Sequence, residues 1–162
     1  MITQKSFTLT QGGADTAAET TIATNIQPGI TFGAWELLVM ELTIKPDLVK
    51  AWVNNADQDF TVQLTKRSLA SSIARIVTYA DTDLIATFNL AVNLAGTAAN
   101  LQILETTYFI QMPPGVIVYS ENLYMQIIST ATGQTNVAWG RLLYQPVTLK
   151  PAEAFSIIAS RP

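Results

Sequence analysis

The sequence predicts an all-β protein, an eight-stranded antiparallel jelly-roll sandwich with one or two extra N-terminal strands and little helix. Three observations carry that expectation. Short runs of alternating apolar and polar residues recur along the chain. Each run is bounded by Gly, Pro, Asn or Asp, and few stretches repeat with the period of a helix. The 162 residues read as one domain, 1–162, in which 1–30 form an N-terminal arm or extra strands. An immunoglobulin-like sandwich is the runner-up, but it needs only about 100 residues and often carries a Cys-Trp-Cys core. This chain has no cysteine.

The elements follow in order. SFTLT (6–10) alternates until Gln11-Gly12-Gly13 breaks it, and ETTIATNI (19–26) stops at Gln27-Pro28-Gly29. AWELLVMELTI (34–44) is the longest strand candidate. Leu38, Met40, Leu42 and Ile44 form one apolar face, while Trp35, Leu37 and Val39 make the other apolar too, so the strand reads as buried on both sides. DLVKAWV (47–53) fits a helical turn or an extended crossing, and DFTVQLTK (59–66) points Phe60, Val62 and Leu64 inward. SLASSIARIVTY (68–79) reads as a short helix or loop leading into a strand over 73–79. LIATFNLAV (84–92) and LQILETTYFIQM (101–112) are strands, the second ended by Pro113-Pro114-Gly115, since proline cannot donate to a ladder. VIVY (116–119) and NLYMQIIST (122–130) lie either side of the Ser120-Glu121-Asn122 turn. Alternation sets Val116 and Val118 against Ile117 and Tyr119, and Leu123, Met125 and Ile127 against Tyr124, Gln126 and Ile128. ATGQT (131–135) reads as a hairpin turn into NVAWGRLLYQPVTL (136–149), and PAEAFSIIAS ends the chain as a short helix or strand.

Composition removes most chemistry. With neither cysteine nor histidine, thiol nucleophiles, disulfides, zinc ribbons, imidazole bases and Ser-His-Asp triads are all excluded. Net charge is −3, and the first 13 residues carry one cation, Lys5, which argues against direct nucleic-acid binding. Charge is also scarce. It makes up 13% of residues, against roughly 25% in ordinary soluble proteins. Residues 84–104 and 122–140 carry none. Such a surface is expected to be covered by other subunits, with hydroxyl and amide groups sharing the task. The stretch 84–104 is long enough to span a bilayer, which takes about 20 residues. However, Asn89, Asn93, Asn100 and Gln102 are costly in hydrocarbon, and Gly96-Thr97 reads as a turn between two strands. No secretory signal and no Asn-X-Ser/Thr sequon is visible.

Candidate sites are few. Glu36 and Glu41, five apart on one strand, are expected on opposite faces and so cannot flank one scissile bond. Asp57 with Asp59, and Asp81 with Asp83, place paired carboxylates at turns, where calcium is weighed against ordinary turn formation. Neither pair matches a full calcium loop, and no metal site or cofactor is assigned. Trp35 and Trp139 lie within strand patterns and are expected in packing. Trp52, beside Asn54 and Asn55, is the expected interface anchor or ligand platform. Arg141, within an apolar strand, needs a partner if buried, with Glu121 and Glu105 as candidates. Gln11-Gly12-Gly13 lacks the helix and Lys-Ser/Thr of a phosphate loop, and Ser71-Ser72-Ile73-Ala74-Arg75 offers no serine–lysine pair; with no histidine and ill-placed carboxylates, no enzyme is expected.

From residue 101 to 160 the chain resembles the last strands of small single jelly-roll coat proteins of icosahedral viruses. The resemblance rests on the order of elements. A strand ends in Pro-Pro-Gly, VIVYSENLYMQIIST and a Thr-Gly-Gln-Thr turn follow, and NVAWGRLLYQPVTL and a short tail come last. It implies a capsid subunit located in the virion, associating with copies of itself and with other capsid proteins, and acting without catalysis. Many such proteins carry a basic N-terminal arm for the genome, and this chain departs from them there. The departure fits a shell over an internal membrane, a separate nucleic-acid-binding protein, or a secondary shell component. The alternative is a carbohydrate-binding or phage receptor-binding module on the same fold, using Trp52 and its Asn neighbours.

Overall fold

The computed structural model describes residues 1–46, 51–52, 58–69, 83–92, 101–102, 106–130, 132–133 and 135–159. Its strands are β1 (Thr3–Thr10), β2 (Ala18–Ala23), β3 (Gly33–Pro46), β4 (Ala51–Trp52), β5 (Gln58–Thr65), β6 (Leu84–Val92), β7 (Leu101–Gln102), β8 (Thr106–Gln111), β9 (Ile117–Val118), β10 (Asn122–Thr130) and β11 (Asn136–Thr148). They are followed by one helix, α1 (Pro151–Ala159). One sheet has the order β1-β11-β3-β8, with β9 also on β3, and the other has the order β2-β10-β5-β6. All of these pairs are antiparallel. This is a jelly-roll sandwich. The two N-terminal strands are members of the two sheets, one in each. The additional short strands are instead β4 and β7, which pair with each other, and β9.

The core lies between the sheets. Phe7 and Leu9 of β1, Ile22 of β2, Phe60, Val62 and Leu64 of β5, Leu123, Met125 and Ile127 of β10, and Ala138 and Leu142 of β11 are buried at every second position. Removing each large apolar side chain from water contributes about 1.5–3 kcal/mol. At the open side Phe88 of β6 meets Tyr108 of β8, ring centroids 4.2 Å apart, so the last strands of the two sheets touch.

β3 departs from simple alternation. Trp35 and Leu37 are buried, then Met40, Leu42 and Ile44, so the inward set changes from odd to even positions. The register against β11 shifts there: Leu143 faces Val39 while Tyr144 faces Leu37, leaving Leu38 as the extra residue of a bulge. The two apolar faces read from the sequence are therefore largely one core face, switched midway. The bulge also brings Glu36 and Glu41 to the same outer face, not to opposite ones. They remain about five residues of strand apart, on the order of 15 Å, beyond the ~9.5 Å limit for a glycosidase pair.

The edge beside β3 is interrupted where the bulge lies. β8 pairs with Val39–Ile44 and β9 with Trp35 and Glu36. Pro113-Pro114-Gly115 loops out between them, with Gly115 at φ 82° in the turn position that demands it. Met112 N–H donates to Leu38 O and Leu37 N–H to Val116 O, both at 2.9 Å, holding the two ends of the loop to β3.

Other expectations change. LQILETTYFIQM divides into β7, which pairs with β4, and β8, which pairs with β3. ATGQT is not a hairpin turn, because β10 and β11 belong to different sheets and the segment crosses between layers. A turn signature marks where a strand stops, not which layer the next one joins. Of DLVKAWV, Ala51 and Trp52 are extended, and of SLASSIARIVTY only Ser68 and Leu69 lie within the described residues. The terminal segment is helical. Pro151 occupies its first turn, and the Glu153 carboxylate accepts from Lys150 N–H at 2.9 Å, half of a capping box.

Gly140 faces the core between Phe7 and Leu42 in the central register. A Cβ there would run into the backbone carbonyl of Glu41 and lie 3.1 Å from Phe7 Cζ. Gly140→Ala is expected to lower unfolding stability by about 1–3 kcal/mol through overpacking. Urea unfolding checks this; an unchanged midpoint would mean β11 and β3 sit further apart than described.

Candidate assembly surfaces

The outer face of the first sheet is laid out by its register. Three central rows cross it, each spanning all four strands: Gln4, Leu143, Val39, Gln111; Ser6, Arg141, Glu41, Phe109; and Thr8, Trp139, Thr43, Thr107, with Glu36 and Lys45 of β3 lying in shorter rows beyond them. Within the three, charge appears only in the middle row, where Arg141 Nε donates to Glu41 Oε2 at 2.5 Å and Nη1 to Gln4 Oε1 at 3.0 Å. The partner of Arg141 is thus its cross-strand neighbour, and Arg141 is solvent-exposed, so Glu121 and Glu105 are not needed. Exposed ion pairs of this kind contribute about 0–1 kcal/mol. Thr43 and Thr107 hydroxyls bond at 2.8 Å, and Phe109 stands 71% exposed on the outermost strand.

The second sheet faces outward with polar side chains, yet Thr61, Gln63, Thr65 and Gln126 are buried. They pair across strands. Thr61 Oγ1 donates to Asn89 Oδ1 at 2.9 Å, and Gln126 Nε2 donates to Thr65 Oγ1 at 2.9 Å and to Glu19 Oε2 at 2.8 Å. Glu19 also accepts from Leu69 N–H at 2.7 Å and from the Ser68 hydroxyl. A carboxylate that accepts several hydrogen bonds holds the segment after β5 against β2.

The two ends of the sandwich are tied differently. At the end where β10 stops, Asp15 has a left-handed backbone (φ 54°) and accepts from Thr132 N–H at 2.7 Å, Thr132 Oγ1 at 2.6 Å, Gly133 N–H at 2.9 Å and Ser129 Oγ at 3.3 Å. Gln11 continues this knot, donating to Ser129 Oγ and accepting from Asn136 N–H and Nδ2 at 2.9 and 2.8 Å. Burial works to raise the Asp15 pKa, but the hydrogen bonds from Thr132, Gly133 and Ser129 together outweigh it and hold the carboxyl below its ordinary value.

At the other end, the Thr24 hydroxyl donates to the Ser120 and Glu121 carbonyls. Tyr119, expected on the face opposite Val118, is buried beside it: its ring turns in beneath residues 27–31. The Tyr119 hydroxyl accepts from Gly29 N–H at 3.0 Å and donates to Thr31 O at 2.5 Å. Ile30, between those two contacts, is 77% exposed. In the sequence Gln27-Pro28-Gly29 reads only as the end of a strand. An isoleucine directly after a Pro-Gly turn was the available signal. Trp35 stacks on Tyr144 with centroids 3.8 Å apart, placing it in the core, whereas Trp139 lies half-buried on the outer face.

The expected platform is only partly placed. Trp52 lies in β4, while Asn54 and Asn55 lie outside the described residues, as do Asp57 and Asp81. Asp59 accepts from Thr61 Oγ1 at 3.1 Å, and Asp83 pairs with Arg67 at 2.5 Å. Among the described residues no cluster of three or more acidic side chains gathers.

No protein-family model and no curated protein sequence matches the chain. Among solved structures it is similar to a chain of desmodium yellow mottle tymovirus, with 8% identity, TM-score 0.35, and coverage of 93% of this chain and 91% of that one. It is similar to a chain of turnip yellow mosaic virus with 14% identity, TM-score 0.37, and coverage of 94% and 85%. A chain from naturally occurring empty particles of cowpea mosaic virus matches with 10% identity, TM-score 0.38, and coverage of 93% and 90%. At these values the likeness carries no functional weight, and the fold rests on the strand order itself.

The Asp15 knot has a pH signature. Because its folded pKa lies below the unfolded value of 3.8, its stabilisation is fully present above that value and is lost as pH falls through the folded pKa. Asp15→Asn should therefore be less stable than the parent at pH 7, with the gap narrowing as pH falls below 3.8. Paired thermal unfolding between pH 7 and about 3 checks this; a constant gap would contradict it.

Proposed function

We propose that this chain is a viral structural protein, a capsid subunit that self-assembles with copies of itself into an icosahedral shell of the virion and performs no catalysis. The observation that carries the reading is the outer face of the β1-β11-β3-β8 sheet. Its three central rows hold a single ion pair, whose charges satisfy each other, among threonine, serine, glutamine, valine, leucine, tryptophan and phenylalanine, with Glu36 on the row beyond them. A surface with so little net charge to desolvate suits burial against another subunit. The jelly-roll order and the resemblance of 101–160 to coat-protein strands agree with it. Lys5, the one cation among the first 13 residues, lies in strand β1.

The test is direct. Negative-stain electron microscopy and light scattering of the purified chain should show particles or large oligomers. A strictly monomeric protein at high concentration would overturn the reading.

A further inference from the structure

Several charged side chains are committed within the chain. Arg67 pairs with Asp83 and Arg141 with Glu41, Glu19 holds Ser68, Leu69 and Gln126, and Asp15 holds Thr132 and Gly133. One cleft departs from that pattern. About 460 Å³ in volume, it is walled by the end of β5, the Ser120-Glu121-Asn122 turn, Pro28 and the last turn of α1. Lys66, Glu121, Asn122 and Tyr124 line it, and their side-chain polar groups have no partner among the described residues. Lys66 and Glu121 thus bring opposite charges to one cleft without closing on each other.

Other bonds fix the walls. Lys66 N–H donates to Asp83 O at 2.9 Å, which sets the end of β5. Thr24 N–H donates to Glu121 O at 2.9 Å, and the Thr24 hydroxyl donates to the Ser120 and Glu121 carbonyls. Ser120 Oγ closes the same turn by donating to Asn122 O at 2.9 Å. Tyr124 stands in β10 between its cross-strand neighbours Thr21 and Thr65, and the turn bearing Pro28 is held by the Tyr119 hydroxyl. The backbone is therefore ordered in advance while these side-chain donors and acceptors stay unused, which lowers the entropic cost of binding.

The lining selects a ligand class. The volume falls within the ~300–1,000 Å³ of small-molecule pockets. Lys66 and Glu121 cancel, so the cleft has no net charge to attract a phosphate or a nucleic acid. Lys66, Asn122 and Tyr124 supply donors, and Glu121 and Asn122 supply acceptors. Pro28, Ile158 and the Tyr124 ring add apolar surface. A matching ligand carries several hydroxyls, each able to donate and accept, on a ring with a C–H face. We propose that this cleft binds a pyranose sugar, whose hydroxyls donate to Glu121 and accept from Lys66 and Asn122 while one ring face covers Tyr124. The site is separate from the proposed assembly face and from Trp52, neither of which lines it.

Saturation-transfer NMR on the full chain tests this, with methyl glycosides of glucose, galactose, mannose and N-acetylglucosamine as probes. Glycylglycine is the zwitterionic comparison. At least one glycoside should bind with a dissociation constant on the order of 1 mM. Glu121→Gln and Lys66→Met should each weaken that binding by about tenfold with an unchanged unfolding midpoint, since neither side chain loses an internal partner. Lys150→Met, outside the cleft, should bind like the parent. Failure of every glycoside to bind, or parental binding in both cleft variants, overturns the proposal. Binding of glycylglycine in place of the glycosides overturns it too, because the opposed charges then serve a zwitterion.

Discussion

One extra residue in one strand sets much of this structure. Leu38 bulges out of β3, and from that point the strand presents its opposite parity to the core. Without the bulge, Trp35 and Leu37 could not share a face with Met40, Leu42 and Ile44, and half of the strand's apolar side chains would meet water. The same irregularity lies opposite the Pro113-Pro114-Gly115 loop, so the edge of the sheet is broken there and β9 resumes only two residues long. β9 then delivers Tyr119 to its buried position, from which it orders the loop carrying Ile30. The core, the edge and the ordered turn at 27–31 are therefore linked through a single register shift.

Charge scarcity is the second constraint, and the two sheets meet it differently. The β2-β10-β5-β6 sheet buries its outward threonines and glutamines by pairing them across strands, with Glu19 as a multiple acceptor. Such a network is worth keeping only when nearly every member is satisfied; Gln126 Oε1 is an exception, with no partner among the described residues. The other sheet leaves its outer face open, with Phe109, Trp139 and the Arg141–Glu41 pair on it. One sheet thus shows a sparsely charged, exposed outer face and the other a hydrogen-bonded, buried one.

Much of this was legible in the sequence where local chemistry decides. The bounds of β6 and β10 follow from turn residues flanking alternating runs, and Pro151 with Glu153 announces the helix. What escaped depends on partners distant in sequence. The β3 bulge is invisible to a period-two reading, because two apolar faces and one switched face spell the same residues. Arg141 finds Glu41 a hundred positions away through strand register alone. The Thr-Gly segment after β10 looks the same whether the next strand lies beside it or in the opposite layer. Asp15 resembled an ordinary turn residue, and only the arrival of Thr132 and Gly133 from the far end of the chain makes it a knot.

Association of copies through sparsely charged surfaces, as proposed above, differs from charge pairing in its response to ionic strength. Salt screens exposed charges over about 10 Å at 0.1 M, whereas excluded salts such as sulfate strengthen apolar burial. Sedimentation velocity across a series of sodium chloride and sodium sulfate concentrations is the most direct test. Association through such surfaces is expected to be insensitive to chloride and strengthened by sulfate. Oligomers that dissociate steadily as chloride rises would contradict it.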